Sequence, residues 1–114
     1  MGLYTVEIGS VRLELGDGVW IGVKRELTYG DEQELRARAL QVQQQAKEMT
    51  MVADWAAFTV EKVYRWLTDW SAVDDTGAKI PVTREAIRAL PRRLGTRIEE
   101  AIDAHAGKME QAKN

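Results

Sequence analysis

The spacing of apolar residues changes once along the chain, and that change excludes both an all-helical and an all-β fold. In the first third, Tyr4, Val6 and Ile8 alternate with Thr5 and Glu7, and Val11, Leu13 and Leu15 alternate with Arg12 and Glu14. Period two marks a strand with one buried face. Gly9-Ser10 turns the chain between these runs, and Gly16-Asp17-Gly18 turns it again, because glycine tolerates the positive φ of a tight hairpin. Val19-Trp20-Ile21-Gly22-Val23 follows as a third strand, so residues 1–27 read as an antiparallel β-meander. Three short strands need cover over one face, either from the helices that follow or from another subunit of a homo-oligomer.

From Thr28 onward the period is helical. Thr28, with Asp31 three residues on, is an N-cap, and Leu35, Ala39, Val42, Ala46 and Met49 then share one narrow arc. A wider apolar face follows from Met51 to Trp70: Val52, Trp55, Ala56, Val60, Val63, Trp66, Leu67 and Trp70. Glu48-Met49-Thr50-Met51 holds no glycine or proline, so residues 28–70 are a long helical hairpin or one long bent helix. Residues 71–83 read as a loop, with a turn at Asp74-Asp75-Thr76-Gly77 and an extended Ile80-Pro81-Val82. Thr83 caps a short helix through Leu90, and Pro91 interrupts it or begins the next. Leu94, Ile98, Ala101, Ile102, His105 and Met109 carry the C-terminal helical region of residues 84–109, with residues 110–114 expected to fray. The fold class expected is α+β, mainly helical, in a single domain over residues 1–114.

Composition narrows the function classes. A chain of 114 residues suits one core rather than two. Sixteen basic and eighteen acidic residues give a net charge of -2, no field to hold a polyanion, so nucleic acid is not an expected partner. The absence of cysteine removes disulfides, thiolate zinc sites and cysteine nucleophiles. Met1 to Glu7 lacks the basic-then-apolar pattern of a secretion signal, and no apolar run approaches the roughly 20 residues of a membrane span. A cytoplasmic location is expected, without a membrane partner.

Candidate chemistry reduces to few residues. His105 is the one histidine, and no second ligand stands at the helical spacing a metal pair uses, so a partly buried or helix-end histidine is expected. Asp69, Asp74 and Asp75 cluster around a loop without the alternating acids and terminal glutamate of a calcium loop, which makes them a solvated turn. Gly16-Asp17-Gly18 lacks the lysine and following helix of a phosphate loop. No catalytic residue, cofactor or metal ligand is therefore expected. Trp55, Trp66 and Trp70 fall on the core face of one helix, whereas Trp20 opposes the face of Val19, Ile21 and Val23 and becomes an interface candidate. Phe58 falls with Asp54, Glu61 and Arg65 on the outward side of its helix, where an exposed aromatic marks a partner contact. Arg84, Arg88, Arg92, Arg93 and Arg97 are interleaved with Glu85, Glu99 and Glu100, a solvated, ion-paired face or else a contact for an acidic protein.

Several stretches together resemble a family. Leu13-Glu14-Leu15-Gly16-Asp17-Gly18-Val19-Trp20-Ile21, Leu27-Thr28-Tyr29-Gly30, Trp66-Leu67-Thr68-Asp69-Trp70, Asp74-Asp75-Thr76-Gly77, Ile80 to Ile87 and Leu90-Pro91 are similar to the tail assembly chaperones, and related small tail-module proteins, of long-tailed phages infecting actinobacteria. The resemblance implies a non-catalytic factor of the host cytoplasm that coats the helical tape measure protein before the tail tube polymerises. An amphipathic helix would enter an apolar groove, with Phe58 and Trp20 as partner-binding residues. It also implies a longer product made by frameshifting near the C-terminus, of which a chain ending soon after Gly107-Lys108 would be the short form. The alternative is a virion structural protein, a capsid or tail decoration or connector subunit, joined to its neighbours by strand addition and helix packing.

Overall fold

Asp17 and Gly18 sit at φ values of 56° and 76° in the computed structural model, which describes residues 9–44 and 51–113. Positive φ at both central positions gives a turn whose twist matches that of the flanking strands. It joins β1 (Ser10–Gly16) to β2 (Val19–Lys24), antiparallel, with Val11 opposite Val23 and Leu13 opposite Ile21. This hairpin is where the alternation placed it. Tyr4, Val6 and Ile8 lie outside the described residues, as do Ala46, Met49 and the 45–50 junction on which the choice between one helix and two depends.

The third strand of the sheet comes from elsewhere than the N-terminal meander. Helix α1 (Tyr29–Gln44) begins at the Thr28 cap, whose Oγ1 accepts from Asp31 N at 3.1 Å, and α2 (Met51–Trp66) follows. The helix expected to reach Trp70 stops at Trp66, and β3 (Leu67–Trp70) pairs antiparallel with β2 in the order β1-β2-β3. Leu67 faces Val23, Asp69 faces Gly22 and Trp70 faces Ile21, so Thr68 is one residue too many against β2. That bulge turns both Leu67 and Trp70 onto the core face although they are three residues apart. Three-residue spacing is also the helical signature, which is how the strand passes for the last turn of α2.

The bulge requires glycine beneath it. A methyl group added at Gly22 would stand 2.9 Å from Thr68 Oγ1 and 3.5 Å from Asp69 N. Gly22→Ala is expected to destabilise the fold by about 1–3 kcal/mol in urea denaturation. Adding Thr68→Ala should restore much of it, since the second contact is of ordinary length. An unchanged midpoint in the single variant would show that β3 does not lie so close.

Beyond β3, Asp74 Oδ1 accepts from Thr76 N, Thr76 Oγ1 and Ala78 N, closing the expected turn on itself. Thr83 Oγ1 accepts from Ala86 N and caps α3 (Arg84–Arg88). Pro91 precedes α4 (Arg92–Lys113). The sheet lays Ile21, Val23, Leu67 and Trp70 on Val63 and Trp66 of α2, Ile87 of α3, and Ile98 and Ile102 of α4, forming one core. The fold is α+β, with four helices and a three-stranded antiparallel sheet among the described residues.

Candidate functional site

The lone histidine is a structural tie. His105 is buried on α4, and its Nε2 lies 3.1 and 3.0 Å from the carbonyl oxygens of Lys24 and Arg25. Carbonyls only accept, so Nε2 carries the proton and donates, fastening α4 to the end of β2. The ring stands edge-on to Trp66 at 5.6 Å. Asp74 is spent on its own turn, whose Thr76 hydroxyl and backbone N–H groups hold the carboxyl below the usual carboxylate range. Asp69 ion-pairs with Lys79 at 2.6 Å, which lowers it likewise. Among the described residues no group of three or more potential ligands is placed to hold a metal ion, and no helix is long and apolar enough to cross a membrane.

The densest polar cluster lies on the side of α2 expected to face solvent. Glu61 is 5% exposed, and its carboxylate accepts from Arg84 Nε at 2.8 Å and Nη2 at 3.0 Å, and from Arg65 Nε at 3.0 Å. Arg65 continues to Asp31 at 2.7 Å and Glu34 at 3.1 Å on α1, and Asp31 accepts from Lys24 at 2.8 Å. The Arg84 guanidinium, seconded by Arg65, lowers Glu61 to about 2, and the Lys24 bond similarly depresses Asp31. Arg84 also stacks on Tyr64, 4.2 Å from the ring centroid. These charges neutralise one another and hold α1 and α3 to α2, leaving no free general acid or base in the cluster. The wheel reading of Glu61 and Arg65 as outward is thereby corrected, because charged residues on α1 and α3 cover them.

Phe58 is half-buried rather than exposed, and it meets Trp55 edge-on at 5.6 Å. Trp55, expected in the core, is 39% exposed. Trp20 is half-buried beneath the Arg12 guanidinium, 3.8 Å from its ring, on the face of β2 opposite Ile21 and Val23. Its backbone is fixed by Ser71, whose Oγ accepts from Trp20 N and whose N–H donates to Trp20 O.

The apolar groove lies where sequence reasoning did not look, between α2, α3 and α4. Val60, Val63, Ile87, Leu90 and Ile98 line an open volume of about 320 Å³, together with the charged Arg88, Arg92 and Glu99. Neither Phe58 nor Trp20 lines it. Thr59 does, one turn along α2 from the exposed Trp55, which lies on the same helical face. Leu90-Pro91 was the legible signal: proline separates α3 from α4, and two helices meeting at a break leave a cleft that one continuous helix would not. Gly95 leaves open space at the wall, because a Cβ there would meet nothing within 4 Å. No family model, curated protein or solved structure matches this chain.

Proposed function

We propose that this chain is a non-catalytic phage tail assembly chaperone, which holds a helical segment of the tape measure protein during tail morphogenesis. The observation that carries the reading is the apolar groove between α2, α3 and α4, with Trp55 exposed one turn beyond it. Val60, Val63, Ile87, Leu90 and Ile98 offer a floor into which the apolar stripe of an amphipathic helix packs. The groove is small, at the low end of the roughly 300–1,000 Å³ typical of ligand pockets, so it takes a few side chains from a helix lying across it. Modest burial suits a factor that must release its partner when the tail tube forms. In this reading α1 and α2 are the arms of a helical hairpin, and Phe58 backs Trp55 from beneath. The resemblance of residues 66–91 to tail assembly chaperones supports the assignment, because α3 and the Leu90-Pro91 break that shape the groove fall within them.

The test is where the protein goes. Quantitative mass spectrometry should find the chain bound to tape measure protein in infected cells before tube formation, and absent from purified virions. Stoichiometric abundance in virions would overturn the chaperone reading in favour of a capsid or tail decoration or connector subunit.

A further inference from the structure

We propose that the groove selects its occupant by charge: the helix it takes carries carboxylates beside its apolar stripe, and Arg88, Arg92 and Arg93 receive them. This rests on the reading that the groove binds a partner helix, and it adds the chemistry of that helix.

The two basic residues that line this groove, Arg88 and Arg92, have no carboxylate partner of their own among the described residues. Lys24, Lys62, Arg65, Lys79 and Arg84 all pair with carboxylates within the chain. Arg88, Arg92 and Arg93 are exposed and make no ion pair among the described residues. The interleaved glutamates do not reach them; Glu99 turns instead to Lys62 at 3.6 Å. The face is solvated as expected, but among the described residues its ion pairs to Glu85, Glu99 and Glu100 are missing, so a carboxylate brought by an acidic partner meets cations with no internal competitor.

The placement is also unfavourable for the isolated chain. Arg92 and Arg93 occupy the first turn of α4, which carries no acidic residue. A helix N-terminus is the positive end of its dipole and prefers carboxylates, so two guanidinium groups there repel both each other and the helix end. A concave surface along Arg92, Arg93, Thr96 and Arg97 adjoins the groove through Arg92 and Thr96. A carboxylate arriving beside the apolar floor removes that repulsion.

Nucleic acid fits less well. Single strands are gripped by aromatic rings on which bases stack, and the lining of this groove has none: aliphatic side chains stand there with Thr59, Thr96, the cations Arg88 and Arg92, and Glu99, which is paired with Lys62. An apolar stripe flanked by acids satisfies both halves of the surface.

The probes are three fluorescein-labelled peptide helices of about five turns, with one leucine stripe flanked by glutamate, glutamine or lysine. Fluorescence anisotropy with the whole chain should rank them glutamate, glutamine, lysine, with about tenfold between the extremes that shrinks as salt is added. Arg88→Glu combined with Arg92→Glu should invert the order. Its melting temperature should change little, because a glutamate at position 92 suits the N-terminus of α4 while one at position 88 is disfavoured in the last turn of α3. Equal binding of all three peptides would overturn charge selection while leaving the groove as a helix site. Binding of none would overturn the function proposed above, and this inference with it. A single-stranded oligonucleotide bound more tightly than the glutamate peptide would make the rim a nucleic-acid surface and overturn the inference alone.

Discussion

Trp70→Ala should remove about 4–5 kcal/mol of stability and leave much of the population unfolded. The indole is 2% exposed, sits opposite Ile21 in the sheet, and donates from Nε1 to the Ile80 carbonyl at 2.6 Å. Truncation empties a tryptophan-sized volume, for which a loss of about 3–5 kcal/mol is usual, and leaves a carbonyl without its donor. Domains of this kind are stable by only about 5–15 kcal/mol, so the loss consumes a large part of the total. Trp70→Phe separates the terms: most packing survives, the bond to Ile80 does not, and about 1–3 kcal/mol should be lost. Urea denaturation followed by far-ultraviolet circular dichroism measures both. A Trp70→Ala midpoint equal to the parent's would mean that the core is built without β3.

The effect should reach the groove. Ile80 stands three residues before the Thr83 cap of α3, and α3 supplies Ile87 to the groove wall. The Nε1 bond thus anchors the segment that delivers α3 to α2. In Trp70→Phe, affinity for the leucine-striped peptides should fall even where the fold persists.

What was legible in the sequence is what local chemistry decides. The Asp17-Gly18 turn, the caps at Thr28 and Thr83 and the Asp74 turn each rest on one or two residues acting on their own backbone, and each stands where the residues put it. The α4 stripe was readable for the same reason, because Ile98, Ile102 and His105 all face one core. The failures lie where tertiary contact overrides period. β3 imitates a helix because the Thr68 bulge puts Leu67 and Trp70 on one face. The clue was composition, since Thr68 and Asp69 are poorer helix formers than the residues before them. The side of α2 holding Glu61 and Arg65 looked solvated because charge normally signals water. It is covered instead by partners on α1 and α3, whose own sequences give no sign of where they will pack. The groove was signalled only by the Leu90-Pro91 break, for a related reason: its lining comes from three helices, and no single stretch contains it.

That buried cluster also carries the chain's response to acid. Glu61 titrates near 4.5 when unfolded and near 2 when folded, because the Arg84 and Arg65 guanidinium groups favour its ionised form. A depressed carboxyl contributes stability above its unfolded value and loses it as pH falls through 4.5 towards 2; the shift corresponds to about 3 kcal/mol. Glu61→Gln keeps the shape, removes the charge, and leaves Arg84 without its carboxylate while Arg65 retains Asp31 and Glu34. Near neutral pH the variant should be less stable by about 2–4 kcal/mol. On acidification the parent should lose that advantage and the two should converge, since a protonated glutamate and a glutamine present similar neutral groups. Asp31 is also depressed, but it weakens both proteins alike, so the difference between them isolates Glu61. Urea midpoints measured from neutral to strongly acidic pH decide the matter. A gap that stays constant would assign the loss to packing, and the pairing of α3 with α2 would then owe little to charge.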